Sequence, residues 1–174
     1  IPNPSDKSFE ILNNFNKSCN VDVFFALSHG VHRGVLKSGK TDDRIGFLKD
    51  LMHKTPDVKF DLYGIDKVQP IWADHYFKTI SNAKMGLNLS RGEAIKYYSS
   101  DRITQIVGNG LVCLIDEKTK YQNFFNDNEM VFYKNTNDLS EKILRVSSDD
   151  KLRKKIAKRG KLKYMKYFNS DLVS

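Results

Sequence analysis

The stretch from residue 97 to residue 116, YYSSDRITQIVGNGLVCLID, contains side chains suited to binding an anionic ligand. Two serines and Asp101 stand at the front of a short segment with helical spacing, and Arg102 follows in its first turn. The front of a helix offers unpaired N–H groups and the positive end of the helix dipole, which favour a phosphate. Arg102 can add a bidentate contact, and Gln105, one turn later, can hydrogen-bond a ribose hydroxyl. The pattern predicts a phosphate site, with an ordinary capped helix and a solvated arginine as the alternative.

A second group of candidate ligands lies in SHGVHRGVLKSGK, residues 28–40. Its three glycines let backbone N–H groups approach a ligand, and its histidine, arginine and lysine side chains suit an anion. Neither the P-loop pattern GxxxxGK[ST] nor the dinucleotide pattern GxGxxG is present. The segment is therefore a candidate anion-binding loop, with a flexible basic loop as the alternative.

Other chemistries have less support. His29 and His32 are not accompanied by the cysteine or carboxylate cluster of a metal site, and no metal is expected. The GxSxG elbow of a serine hydrolase is missing. Glu93 and Asp101 could form a carboxylate pair, but exposed loop acids are the simpler interpretation. A dinucleotide oxidoreductase would need GxGxxG after the first strand, and the sequence lacks it there.

Alternating structural elements position these residues. Apolar runs predict five strands, and apolar residues every three to four positions predict helices between them. The predicted strands are residues 21–28, 58–65, 84–90, 111–116 and 129–134, and the predicted helices are residues 41–54, 70–83, 100–107, 119–126, 137–147 and 148–168. This order predicts an α/β fold: a doubly wound, Rossmann-like parallel sheet with helices on both faces and a closing C-terminal helix. Ligands bind such sheets beyond the carboxyl ends of the strands, where the strand order reverses.

Length and composition fit one globular domain. The 174 residues are enough to bury a core, and an apolar content of 40% argues against disorder. No apolar run approaches the roughly 20 residues of a membrane span. Cys19 and Cys113 stand alone, and Cys113 lies in an apolar run, which predicts a buried thiol and a reducing, cytoplasmic environment.

The net charge of +8 comes from one segment. Residues 151–166, KLRKKIAKRGKLKYMK, contain nine of the 29 Lys and Arg residues and no acid, so that 20 basic and 21 acidic residues remain elsewhere. The basic charge is therefore a property of the last helix and not of the whole fold. This distribution makes nucleic acid an unexpected partner.

The same residues resemble the nucleotide-sugar-binding C-terminal half of the GT-B glycosyltransferases, in particular the bacterial family-1-like members related to the spore-maturation group. SSDRITQIVGNGLVCLID resembles a helix-then-strand element of that family, FFNDNEMVFYKNTNDLSEKI (124–143) its aromatic strand and the following helix start, and KLRKKIAKRGKLKYMKYF its closing basic helix. The likeness covers roughly residues 20–170.

The resemblance implies a role for each candidate residue. Residues 29–37 and the start of the helix near Ser100 would hold the diphosphate of a UDP- or GDP-sugar, Gln105 would contact the ribose, the end of the second strand would border the base, and the residues after the third strand would face the base or the sugar. The nucleotide-sugar-binding residues that it implies are His29, Gly30, Arg33, Lys37, Tyr63, Gly64, Asn88, Ser90, Arg91, Tyr97, Ser99, Ser100, Arg102 and Gln105.

Two departures from the family limit what can be carried over. Many retaining members have two glutamates eight residues apart where this chain has Tyr97 and Gln105, which puts a retaining mechanism in doubt. The acceptor-binding domain of a GT-B enzyme would precede this chain, and residues 1–20 resemble the connector from it, with residues 21–174 as the nucleotide-sugar-binding domain. The implied function is the donor half of a glycosyltransferase for a glycan or lipid-linked acceptor, as in cell-surface polysaccharide biosynthesis. It would be inactive without its partner domain and would contain no catalytic residue that the sequence identifies.

A different function class remains open. The basic segment 151–166 could make the chain a binding module for an anionic membrane or for RNA. In that case the protein would be peripheral at the inner face of the membrane. The alternative is a closing helix with a solvated basic face and with Leu152, Ile156 and Phe168 packed inward.

Overall fold

A five-stranded parallel sheet forms the centre of the protein in the computed structural model, which describes residues 3–27, 43–65 and 67–173. The strands are β1 (Val21–Ala26), β2 (Phe60–Tyr63), β3 (Ala83–Asn88), β4 (Val112–Asp116) and β5 (Val131–Tyr133). Their order across the sheet is β2-β1-β3-β4-β5, and every neighbouring pair is parallel. The order reverses between β1 and β3, because the chain leaves β1 toward β2 and then crosses back to β3. The predicted doubly wound fold is confirmed.

Helices cover both faces of the sheet. They are α1 (Arg44–Lys54), α2 (Ala73–Ile80), α3 (Asp101–Gly108), α4 (Thr136–Ser148), α5 (Asp150–Tyr167) and α6 (Ser170–Val173). The buried side chains of α1 and α4 share one apolar cluster with one face of the sheet, and those of α2 and α3 share the cluster on the other face. Helix α5 contributes to both clusters. Burial on two faces explains why β1 and β4 are near-continuous apolar runs.

Two predicted helices differ from the structure. Helix α2 begins at Ala73, later than predicted, because Trp72 is extended and Ala73 has a φ of 46°. The predicted helix over 119–126 is instead two 3₁₀ turns, Glu117–Thr119 and Tyr121–Asn123. Lys120 between them has a φ of 59°, a left-handed conformation that interrupts a helix.

The N-terminal segment, residues 3–20, is bound along the body of the domain. It contains one 3₁₀ turn, Asn14–Asn16. The buried Asn14 side chain donates to the carbonyl oxygens of Ile80 and Ala83, each at 2.8 Å. Lys161 of α5 donates to the carbonyl oxygens of Glu10 and Leu12 at 3.1 and 2.7 Å. Its contacts make this segment part of the folded domain.

Arg153 fixes this segment to the start of α5. Its side chain is fully buried, although it belongs to the most basic stretch of the sequence. The guanidinium donates to the carbonyl oxygen of Asn14 at 2.7 Å, to that of Lys17 at 2.9 Å and to the Asp150 carboxylate at 2.6 Å. A guanidinium can satisfy three acceptors in this way because its donors point in fixed directions.

Replacing Arg153 with alanine should therefore destabilise the domain. The change removes a strong donor from two main-chain carbonyls and opens a cavity, and we expect a loss of roughly 3 kcal/mol in the free energy of unfolding, measured by urea denaturation. Lys155→Ala, at an exposed position of the same helix, is the control and should change the free energy of unfolding by less than about 0.5 kcal/mol. Equal effects of the two variants would contradict the assigned role of Arg153.

Candidate nucleotide-sugar site

A cleft of about 380 Å³ opens at the carboxyl edge of the sheet, beside the reversal of strand order. Its walls come from the end of β1 at Leu27, from the start of α2 at Trp72 and Phe77, and from the first turn of α3 at Arg102. The opening therefore lies where a parallel sheet of this order leaves room between two crossovers that depart in opposite directions.

The front of α3 presents main-chain N–H groups at this cleft. Ser100 is the N-cap residue, but its hydroxyl donates to the Asn88 side-chain oxygen at 3.1 Å and does not cap the helix. The first-turn N–H groups therefore have no bond from the N-cap side chain, and the helix dipole adds positive potential there. Asp101 also lines the cleft, and its carboxylate accepts a hydrogen bond from the Asn3 side chain at 2.6 Å. The front of α3 can accommodate an anion at its N–H groups.

Arg102 is held in place by the sheet beneath it. Its guanidinium stacks over the Phe25 ring, 5.1 Å from the ring centroid, and donates to the carbonyl oxygen of Leu89 at 3.2 Å. Burial lowers the pKa of Arg102, and the nearby positive charge of Arg44, at the start of α1, lowers it further. The positive charge of Arg102 at the cleft favours an anionic ligand there.

Gln105 and Tyr76 are linked across the cleft. The Tyr76 hydroxyl donates to the Gln105 side-chain oxygen at 2.6 Å, and its ring packs edge-on against Phe24 with centroids 5.5 Å apart. Burial raises the pKa of Tyr76, so the phenol stays protonated and remains a donor. With its oxygen engaged, the Gln105 side chain has its amide N–H groups to offer a ligand.

Four of the expected residues, Asn88, Ser100, Arg102 and Gln105, belong to this one region. Asn88 ends β3 and holds Ser100, while Ser100, Arg102 and Gln105 line the cleft.

Four others lie farther along the edge. Gly64, with a φ of 72°, packs so tightly on Leu27 that a Cβ would meet the Leu27 carbonyl oxygen at 2.2 Å. Tyr63 packs against the rings of Phe24 and His75. Ser90 and Arg91 follow the end of β3, Ser90 half-buried and Arg91 exposed.

Tyr97 and Ser99 bond to neighbouring segments. The Tyr97 hydroxyl accepts from the Asn123 side chain at 2.5 Å, and the Ser99 hydroxyl accepts from the main-chain N–H of Asn3 at 2.7 Å. The remaining expected residues, His29, Gly30, Arg33 and Lys37, lie outside the described residues. Leu27, shortly before them, lines the cleft.

Four residues at or near this site were not expected from the sequence. Trp72 and Phe77 form its aromatic wall, Tyr76 bonds to Gln105, and the charge of Arg44 acts on Arg102. Trp72 fell within the predicted helix over residues 70–83, but it precedes the helix and is 59% exposed. In the sequence, the apolar pair Ile71-Trp72 shortly after the second strand is the feature that could have indicated an apolar wall at this edge of the sheet. Within residues 3–27, 43–65 and 67–173, no cluster of His, Cys, Asp and Glu could hold a metal ion.

Residues 44–171 match the family described as glycosyl transferase-like. The chain belongs to this family. The match covers most of the domain, including the front of α3 and the closing helices. No curated protein matches the sequence.

Solved glycosyltransferase structures share the fold. The crystal structure of TarM superimposes with a TM-score of 0.63 at 13% identity, over 90% of this chain and 34% of TarM. A point mutant of S. aureus TarM, in complex with fondaparinux, alpha-GlcNAc-glycerol and UDP, gives 0.62 at 14% identity over 90% of this chain and 34% of that one. Sucrose-phosphate synthase from Thermosynechococcus elongatus gives 0.62 at 14% identity over 91% of this chain and 44% of its own. The glycosyl transferase-like chain thus spans less than half the length of these proteins. The GT-B glycosyltransferase domain expected from its sequence is confirmed.

Removing the Tyr76 hydroxyl should cost stability without changing the shape of the cleft. Tyr76→Phe loses one short hydrogen bond to Gln105, and we expect the free energy of unfolding to fall by about 1 kcal/mol. Tyr167→Phe alters an exposed ring and should stay within about 0.5 kcal/mol of the unmodified chain. Urea denaturation of both variants measures the difference, and a Tyr76→Phe variant as stable as the control would argue that the Gln105 contact contributes nothing.

Proposed function

We propose that this domain binds the nucleotide-sugar donor of a glycosyltransferase and that its cleft receives a UDP- or GDP-sugar. The sugar would pass to a glycan or lipid-linked acceptor held by a domain that precedes this one, with residues 1–20 as a connector that packs on this domain through residues 3–20. In this arrangement the domain alone is inactive, the enzyme works in the cytoplasm on cell-surface polysaccharide, and no metal takes part.

One observation carries the proposal. The cleft at the reversal of strand order combines the open front of α3, the Arg102 guanidinium and an aromatic wall. A nucleoside diphosphate has the matching parts, because its phosphates need N–H donors and cations while its base needs a flat apolar surface. The S. aureus TarM mutant, which shares this fold, was solved with UDP.

Each part of the donor has a partner in the cleft. The diphosphate would lie at the first turn of α3 between Arg102 and Arg44, with residues 29–37 completing its contacts. The amide of Gln105 would donate to a ribose hydroxyl, while Tyr76 fixes the orientation of that amide. The base would rest near Trp72 and Phe77, on the side of β1 that leads to Tyr63 and Gly64.

Trp72 provides a direct measurement of donor binding. It is the single tryptophan of the sequence and lines the cleft. Titration with UDP or GDP should change its fluorescence, and isothermal titration should give the same dissociation constant. UMP should bind more weakly than UDP because it lacks the second phosphate, which the α3 front and Arg102 would contact.

Substitution of Arg102 tests the phosphate assignment. Arg102→Ala should lose ~1.5–3 kcal/mol of UDP affinity, as expected for a charged hydrogen-bond partner. Arg145→Ala is the matched control, since it removes an exposed arginine of α4 that does not line the cleft. Circular dichroism verifies that both variants are folded. Absence of binding at millimolar nucleotide, or equal affinity of the two variants, would falsify the assignment.

A further inference from the structure

The nine cations of the basic segment divide into two groups in the structure. Four are used within the fold: Arg153 and Lys161 bind the N-terminal segment, Lys154 pairs with Asp150 at 2.9 Å, and Lys163 pairs with Glu129 at 2.8 Å. The other five are exposed residues of α5. They are Lys151, Lys155, Lys158, Arg159 and Lys166.

These five cations form one stripe. At 100° per residue their positions fall within an arc of about 100° on the helix and extend over roughly 22 Å of its length. Leu162 lies near the centre of the arc and is 60% exposed. Among the residues that the structure describes, none of the five cations has an acidic side chain within ion-pair distance. We define this set, five cations and Leu162, as the basic stripe.

A shallow hollow of about 440 Å³ adjoins the C-terminal part of the basic stripe. Arg159, Lys163 and Lys166 contribute positive charge to it, while Leu162 and Tyr167 contribute apolar surface. Glu129 also lines the hollow, and its carboxylate is paired with Lys163. The hollow has room for a phosphate group with apolar side chains beside it.

We propose that the basic stripe binds the surface of an anionic lipid bilayer. Charge complementarity supports the choice of partner, because a row of cations that have no acidic partner in the described part of the chain matches a plane of phosphate headgroups. The exposed Leu162 and Tyr167 distinguish a bilayer from RNA, because their apolar surfaces can enter the boundary between headgroups and acyl chains. RNA-binding surfaces instead use aromatic rings as stacking platforms, and Tyr167 is the one aromatic residue that lines the hollow in the described chain.

The contacts of α5 place the hollow on the domain. Helix α5 runs antiparallel to α3, since Gly160 packs near Val107 while the Tyr164 hydroxyl lies 3.1 Å from the Thr104 hydroxyl. The hollow extends from Arg159, beside the end of α3, to Tyr167, toward the front of α3, and Glu129 in its lining shortly precedes β5. It therefore reaches the amino end of β5, and a bilayer bound to the basic stripe would lie along the outer side of α5.

Co-sedimentation with vesicles tests the proposal with the whole chain. The protein should sediment with vesicles of phosphatidylcholine and phosphatidylglycerol and remain in solution with vesicles of pure phosphatidylcholine. Raised salt should weaken the binding, because it screens charges at the surface. Binding to neither vesicle, or equal binding to both, would overturn the proposal.

Two triple variants of equal net charge make the test specific to the stripe. Lys155→Gln, Lys158→Gln and Lys166→Gln together should lower the partition coefficient roughly 100-fold, since each cation near an anionic surface contributes about fivefold. Lys59→Gln, Lys78→Gln and Lys118→Gln, all exposed residues outside α5, should leave it nearly unchanged. If both triple variants lose binding equally, net charge and not the stripe is responsible, and the proposal is wrong.

A single variant separates a bilayer from RNA. Leu162→Gln removes no charge but should weaken vesicle binding several-fold, because it removes apolar surface from the interface. If a gel shift shows salt-sensitive RNA binding while the chain ignores anionic vesicles, the partner is RNA and the lipid assignment fails. Vesicle binding needs no nucleotide in the cleft. A chain that does not bind vesicles could therefore still bind UDP in the Trp72 fluorescence titration, so the two proposals can fail independently.

Discussion

The carboxyl edge of the sheet can receive a ligand because two neighbouring crossovers leave it in opposite directions. From β1 the chain turns toward β2 through α1, and from β3 it turns toward β4 through α3, so α1 and α3 lie on opposite faces of the sheet. Helix α2, which leads from β2 to β3, lies on the same face as α3 and lines the cleft together with it. Parallel pairing imposes this arrangement, since each connection must cross a face of the sheet to return to the opposite edge. The cleft is thus a consequence of strand order, and side chains such as Arg102 and Trp72 determine what it can bind.

The front of α3 is stabilised from outside the sheet by the N-terminal segment. The carbonyl oxygen of Asn3 accepts from the Thr104 hydroxyl at 3.1 Å and from the Tyr164 hydroxyl at 2.6 Å, while its main-chain N–H donates to Ser99. One residue therefore connects α3 with α5 at the edge that carries the cleft. Because α5 also supplies Arg153 and Lys161 to the same segment, the closing helix and the N-terminal segment together set the position of the helix that would face a phosphate.

Hydrophobic pattern predicted the sheet, its five strands and most helix boundaries, because burial on two faces leaves a clear signal in runs such as those of β1 and β4. The contacts of Asn3, Arg153 and Lys161 could not be predicted, since they join residues about 100 or more positions apart and no local pattern records such pairs. Composition suggested a uniformly basic closing helix, yet its cations differ in burial and in partners. The rule that ligands bind where the strand order reverses, together with Arg102 and Gln105, predicted the position of the cleft. Its aromatic wall was not predicted, because Trp72 also fits the helical spacing of residues 70–83.

The bridge between Ser5 and Asn169 brings the two ends of the described chain together. The main-chain N–H of Ser5 donates to the carbonyl oxygen of Phe168 at 2.7 Å, and the N–H of Ser170 donates back to the carbonyl oxygen of Ser5 at 2.8 Å. The chain therefore enters the described domain at Asn3 and passes Asn169 at nearly the same place on the surface, close to Ser99 and the front of α3. A short linker between residues near Ser5 and Asn169, with the chain opened in a surface loop, would give a circular permutant of this domain that carries a reporter far from the cleft.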